Sequence, residues 1–238
     1  MDGILNICKP TGMSSFKCLS IVKRRLWEQM PVDTRPKFKN WKVGHLGTLD
    51  PNACGVLILV CGKATKSACK RVYDTKVYQS TFQFGIETDT LDPEGAVVAT
   101  SDIVPTRVQI EKALGEMVGD IEIEVPKFSA VHINGSRAYD LVRKGIDFVA
   151  PKRVVNIKRF EILDDVKQAG PSPRWRFEVE CQAGTYIRSL AKLLAMKLGT
   201  LAIAATITRT WVGDFKIEDA KSPDDVKLSD LTQPTVAC

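Results

Sequence analysis

Val43-Gly44-His45-Leu46-Gly47-Thr48-Leu49-Asp50-Pro51-Asn52-Ala53-Cys54-Gly55-Val56-Leu57 is the stretch on which the fold turns. Glycines at 44, 47 and 55 punctuate a loop that leads into an apolar run, residues 56–61, closed by Gly62. A run of that kind between turn residues reads as a buried strand. Glycine lets backbone bend tightly and come close to a ligand. Asp50 precedes proline, which biases it toward extended backbone. Its carboxylate is therefore held on a constrained loop. From these residues alone two readings stay open: a carboxylate that does chemistry, and one that organises a turn, as aspartate often does.

Toward the N-terminus, residues 4–8 read as a short strand, broken by Lys9-Pro10-Thr11-Gly12. Ser14-Ser15 offers an N-cap for a helix running to about Trp27. Phe16, Leu19, Val22 and Leu26 are expected toward one face of it, with Lys17, Lys23, Arg24 and Arg25 on the other. Residues 28–41 are polar, contain two prolines and read as a surface loop.

Toward the C-terminus, residues 76–84 alternate, with Tyr78, Phe82 and Phe84 sharing a face. Thr106 and Gln109 form a capping-box pattern for a helix carrying Ile110, Leu114 and Met117. Ile121, Ile123 and Val125 mark a half-buried strand, as do Phe177, Val179 and Cys181. Ile187, Leu190, Leu194 and Leu198 mark a helix, and residues 168–173 a loop. The polar stretch from Ser222 onward reads as loosely held. Strands and helices mix without regular β-α-β alternation, which predicts an α+β fold.

Composition bounds the answer without deciding it. The 238 residues suffice for one large domain, and the 44% hydrophobic and 26% charged residues are ordinary for a globular protein. No apolar run is long enough to span a membrane, and Met1-Asp2-Gly3-Ile4 lacks a basic signal region. The net charge of +6 permits a polyanionic partner. An odd count of seven cysteines, without a signal region, argues for reduced thiols in a cytoplasmic setting. Cys8, Cys61 and Cys181 lie in apolar runs and read as small buried hydrophobes. The two histidines, His45 and His132, are not near a cysteine pair, so no metal site is expected.

Gly44-His45-Leu46-Gly47-Thr48-Leu49-Asp50-Pro51 resembles the catalytic motif of the TruB family of pseudouridine synthases. The resemblance continues in order along nearly the whole chain. Residues 6–15, Asn-Ile-Cys-Lys-Pro-Thr-Gly-Met-Ser-Ser, are similar to the family's N-terminal Lys-Pro motif. Lys76-Val77-Tyr78 with Gly85, Thr88-Asp89-Thr90, Asp92 and Gly95 is similar to its tyrosine motif. Pro126, Ser129-Ala130, Asn134-Gly135, Arg137, Tyr139 and Arg143 match the next block. Gly184-Thr185-Tyr186-Ile187-Arg188-Ser189-Leu190 is similar to the arginine motif. Leu46, Lys127, His132 and Ile207 depart from the usual residue, and none removes a charged centre.

The resemblance implies a pseudouridine synthase fold: a central mixed, mostly antiparallel sheet with flanking helices and an active-site cleft. It assigns residues 1–221 to a catalytic domain, with an inserted subdomain at about 75–150, and residues 222–238 to a tail without an RNA-binding PUA domain. It implies isomerisation of a uridine in the T-arm loop of tRNA, with no cofactor, metal or obligatory protein partner; separately, the lack of an oligomerisation motif argues for a monomer, and the lack of a long apolar run against a membrane partner. Asp50 would be the nucleophile, through either a covalent sugar adduct or a glycal. His45, Tyr78, Tyr186, Arg188 and Ile207 would bind substrate. Arg188 would pair with Asp50 and keep it ionised, Tyr78 would stack on a flipped-out base, and Lys9 and Pro10 would be structural. Lys17, Lys23, Arg24, Arg25, Lys63, Lys66, Lys70 and Arg71 are candidate phosphate contacts. Three rivals compete: a non-catalytic RNA-folding module, a guided enzyme of H/ACA type, and a hydrolase pairing Asp50 with Asp89.

Overall fold

The computed structural model describes residues 1–67, 75–133, 135–165 and 173–232. The predicted loop at 168–173 lies outside these residues except for Pro173, and Lys70, Arg71 and Asn134 lie outside them altogether. The chain forms two compact units, one from Met1–Tyr78 with Thr208–Cys238 and one from Gln79–Ile207.

In the first unit, β1 (Gly3–Lys9) pairs antiparallel with β3 (Ala53–Cys61), Ile7 opposite Leu57. β2 (Val43–Leu46) pairs with the same strand, His45 opposite Leu59. α1 (Ser15–Gln29) follows β1, and α2 (Ala64–Ser67) follows β3. β4 (Lys76–Phe84) begins in this unit, and β12 (Ala202–Val212) ends in it and pairs with β13 (Phe215–Lys216). The strand order here is β1-β3-β12-β4. The predicted apolar run is buried along its length, and Ile4, Leu46, Val56, Ile58, Val60 and Val212 make a core. Each such side chain contributes roughly 1.5–3 kcal/mol.

The second unit continues β4 and contains β5 (Ile86–Thr88), β6 (Val97–Thr100), α3 (Arg107–Gly115) and β7 (Gly119–Glu124). There follow β8 (His132–Ile133), β9 (Ser136–Arg137), α4 (Ala138–Arg143), β10 (Lys152–Asp165), β11 (Arg174–Cys181), α5 (Ile187–Lys197) and the first part of β12. Its sheet runs β12-β4-β11-β10-β7, and β10 is antiparallel to both neighbours. Phe82, Phe160 and Phe177 pack with centroids 4.7–6.2 Å apart and anchor its core. The capping box is present: Thr106 accepts from the Gln109 N–H, and Gln109 accepts from the Thr106 N–H at 2.8 Å. The α+β expectation holds.

Three local expectations fail. Phe16 is 72% exposed, and Ser15 and Cys18 take the core positions instead. At 100° per residue Phe16 falls well outside the arc of Leu19, Val22 and Leu26. The stretch from Ser222 is held as far as Thr232: Val226 is buried, its carbonyl accepts from the Gln29 amide at 2.9 Å, and Thr232 bridges Ile4 in both directions at 2.8 and 3.0 Å. Backbone pairing with β1, invisible in composition, supplies the anchor. Cys8 is only half-buried. Cys61 and Cys181 are buried as expected, and burial pushes the Cys61 thiol up to about 12. A thiol so far from ionisation is an inert packing group. Among the described residues no helix is long and apolar enough to cross a membrane.

Candidate active site

Asp50 sits half-buried in the loop between β2 and β3, and its flanks are fixed by backbone bonds. The Ser15 hydroxyl, on the first turn of α1, donates to the Leu49 carbonyl and accepts from the Leu49 N–H, both at 2.8 Å. On the other side the Gly12 N–H donates to the Pro51 carbonyl at 2.9 Å. The Ala53 N–H closes the turn onto the Asp50 carbonyl at 3.1 Å. Residues on both sides of the carboxylate are thereby bolted to the N-terminal Pro10–Ser15 region. That is the preorganisation a positioned nucleophile needs.

Lys9 explains why the Lys-Pro segment accompanies this loop. Its side chain is fully buried, and its ammonium donates to the carbonyls of Met13 at 2.6 Å, Pro10 at 2.8 Å and, more weakly, Pro51 at 3.4 Å. Burial pushes the ammonium below the usual lysine range, an effect offset in part by nearby groups that include the Asp50 carboxylate. Its three donors are spent on backbone, so its role is structural, as the resemblance implies.

The opposite end of the loop rests on Arg209, which sequence reasoning missed. Its guanidinium is 1% exposed. It donates to the Val56 carbonyl at 2.7 Å and the Gly47 carbonyl at 2.8 Å, and lies 3.5 Å from the Tyr78 hydroxyl. Two glycines make room for it. Gly55, at φ +100°, leaves no space for a Cβ against the Arg209 backbone, and a Cβ on Gly47, at φ +73°, would touch the guanidinium at 3.4 Å. The available signal was an arginine two residues after Ile207 on an alternating strand, hence on the same inward face.

His45 is half-buried on β2, and its Nδ1 has no hydrogen-bond partner. Burial, and secondly the Arg209 charge, hold its imidazole below the ordinary 6.5. The folded chain therefore favours neutral His45. Stability from this group is complete above about pH 6.5 and is lost as pH falls through the window below it, where the unfolded chain binds the proton first. The expected result is a His45 ring resonance that titrates below 6.5, and a urea midpoint whose decline on acidification is smaller in His45→Gln. Tyr78 is 6% exposed on β4, its ring 6.0 Å from the Arg209 guanidinium. His45, Asp50, Tyr78 and Arg209 thus belong to one unit.

Tyr186, Arg188 and Ile207 belong to the other unit. Tyr186 is half-buried at the N-cap of α5, and Ile207 is 6% exposed on β12. Arg188 is not the exposed helix arginine its position off the apolar stripe would suggest: it is 3% exposed. Its guanidinium donates to the Thr90 carbonyl at 2.7 Å and the Phe128 carbonyl at 3.0 Å, with Asp92 at 3.9 Å. The turn that receives it accounts for the Thr-Asp-Thr pattern. Asp92 accepts from the Thr90 hydroxyl at 2.6 Å and the Glu94 N–H at 3.0 Å, while Asp89 accepts from the Ala96 N–H at 3.0 Å. Leu91 is held at φ +62°, a strained conformation for leucine. Asp89 is exposed and its carboxylate caps this turn, which makes it a poor partner for a hydrolytic pair. Of the candidate phosphate contacts, Lys17, Arg24, Lys63 and Lys66 are exposed and Lys23 is half-buried. Arg25 lies 3.7 Å from Asp224.

The architecture matches solved structures. It superposes on a chain of the crystal structure of a Cbf5-Nop10-Gar1 complex with TM-score 0.66 and 25% identity, covering 94% of this chain and 53% of that one. A chain of an H/ACA RNP bound to a substrate RNA containing 2′-deoxyuridine gives TM-score 0.63 at 23% identity, covering 94% and 51%. The chain thus spans about half the length of these structural neighbours. The fold is that of the pseudouridine synthases.

The model of the TruB family pseudouridylate synthase N-terminal domain matches residues 35–187. The tRNA pseudouridine synthase B of Bacillus cereus is 36% identical over 230 residues, which are 95% of this chain and 71% of that protein. Its counterpart from Geobacillus thermodenitrificans is 38% identical, over 95% and 72%. The chain belongs to the TruB family.

Proposed function

We propose that this chain isomerises uridine 55 in the T-arm loop of tRNA to pseudouridine, with Asp50 as nucleophile. The observation that carries this reading is the Asp50 loop of a TruB-family chain, pinned through Leu49, Pro51 and Gly47. The reaction breaks the N1–C1′ bond and joins C5 to C1′; the proton leaves C5 and N1 gains one. No electrons are gained or lost, so the residues named here suffice for the atom balance. The Asp50 carboxylate either attacks C1′ or removes a ribose proton to give a glycal, and both routes need it ionised and fixed.

The target base leaves its stack to reach such a group. Tyr78 is the proposed platform for it, with its hydroxyl against Arg209. His45 presents a buried, unpartnered Nδ1 as a contact for the nucleotide. Arg188, its geometry fixed by Thr90 and Phe128, is proposed to keep Asp50 charged, and Tyr186 and Ile207 to line the base pocket. The chain is proposed to act as a cytoplasmic monomer on naked tRNA.

The test is incubation of the purified chain alone with an unmodified tRNA transcript, followed by carbodiimide treatment and primer extension. The expected result is a stop at uridine 55 and at no other uridine. Tight binding without any stop overturns the assignment and favours an RNA-folding role or a partner-dependent enzyme.

A further inference from the structure

Phe16 stands 72% exposed on the first turn of α1, on a helix whose other exposed residues are polar. It is not isolated. At 100° per residue, Phe16, Lys23 and Trp27 fall in one narrow arc of α1, roughly 100° from the centre of the buried arc. The loop after the helix folds back over the far end of this arc. The Trp27 indole N–H donates to the Pro36 carbonyl at 2.7 Å, and Phe38 packs edge-on against Trp27 with centroids 5.6 Å apart. The Arg35 guanidinium lies 4.1 Å over the Trp27 ring, and the Lys23 ammonium 4.5 Å over the Phe38 ring. Among the described residues neither cation meets a carboxylate. Arg25, on the same helix, does.

This surface begins one residue after an anchor of the Asp50 loop. Ser15, the residue before Phe16, is the one whose hydroxyl clamps Leu49 beside Asp50. From Phe16 the stripe runs along α1 for about 16 Å to Trp27, at 1.5 Å of rise per residue. It interleaves aromatic faces, on which a base stacks whatever its identity, with cations that neutralise phosphate. A protein partner would also cover exposed rings. Two cations stacked on aromatic rings with no acidic partner favour a polyanion.

We propose that Phe16, Lys23, Trp27, Arg35 and Phe38 form a contact track for the RNA strand that flanks the reacting uridine. The inference rests on the reading of RNA as the substrate. It assigns a role to an exposed phenylalanine expected from its hydrophobicity to face the core.

The test measures affinity of the full chain for an unmodified tRNA transcript by fluorescence anisotropy, across salt from ~50 to ~200 mM. Phe16→Ala is expected to weaken binding about 10-fold through lost stacking, and saturating enzyme is expected to recover the single-turnover rate. Lys23→Ala with Arg35→Ala is expected to lower the slope of log affinity against log salt by roughly 1–2. Lys112→Ala, an exposed lysine on α3, controls for bulk charge. None of these side chains belongs to the buried core, so their removal leaves it intact. Wild-type affinity and slope in both variants overturn the track, and are what a protein-docking surface would give. The two readings fail separately. A wild-type chain that modifies tRNA while Phe16→Ala binds normally sinks the track alone. One that binds without modifying sinks the reaction, and a weakened Phe16→Ala still supports the track.

Discussion

Asp50→Asn is expected to form no pseudouridine above background, a loss of at least ~10³-fold in single-turnover rate. The substitution replaces a carboxylate oxygen by an amide nitrogen of nearly the same size. A neutral amide neither attacks C1′ nor removes a ribose proton. The backbone groups of Gly47, Leu49 and Pro51 that anchor the loop are left in place by the substitution. The variant is therefore expected to melt within a few degrees of the parent and to bind tRNA with similar affinity. Primer extension, a thermal melt and anisotropy check the three parts. Activity within tenfold of wild type would move the nucleophile elsewhere.

Arg209→Met is expected to lower kcat about 10²-fold and to destabilise the chain by roughly 2–5 kcal/mol. Its loss takes the donor from the buried Val56 carbonyl and the part-buried Gly47 carbonyl, at up to about 1–3 kcal/mol each. Relief from burying a charge offsets part of that cost. The rate falls because the loop loses its hold at Gly47, and a shift on the order of 1 Å at a reacting group costs about 10²-fold. Arg209→Lys keeps the charge but lacks the planar fork that reaches two carbonyls, so it should recover only part of the rate. Positioning and mere stability separate in two readouts. KM should move far less than kcat, and the His45 resonance should shift back toward its ordinary value, because Arg209 is the second cause of its depression. If kcat stays within threefold while stability drops, Arg209 is structural only.

What could be read from the sequence follows from what periodicity encodes. The buried strand over residues 56–61, the alternation that buries Tyr78, Phe82 and Phe84, and the Thr106 capping box were all legible, because each is a local pattern. Phe16 misled because a hydrophobic residue near a helix start was assigned inward, although its angular position disagrees with Leu19 and Val22. The same error hid an exposed aromatic surface. Arg209, Lys9 and Arg188 share a different reason. Each is a buried cation that donates to backbone carbonyls: Arg209 and Arg188 to ones distant in sequence, such as Gly47 and Thr90, and Lys9 to the turn just after it, with a weaker contact to Pro51. Side-chain patterns carry no trace of which carbonyls will be left to accept. For Lys9 and Arg188 the family motif stood in for that missing information; Arg209 lay outside the motifs and went unnoticed.

One consequence concerns the order in which the protein is made. The unit that carries Asp50 is built from both ends of the chain, Met1–Tyr78 and Thr208–Cys238, while Gln79–Ile207 is continuous. On a ribosome the continuous unit can close first, since all its strands emerge in succession. Asp50 is synthesised early, yet Arg209, which fastens its loop, and the Lys221 and Thr232 carbonyls that pair with β1 follow only after the continuous unit. A half-made chain therefore carries Asp50 without the geometry that would arm it.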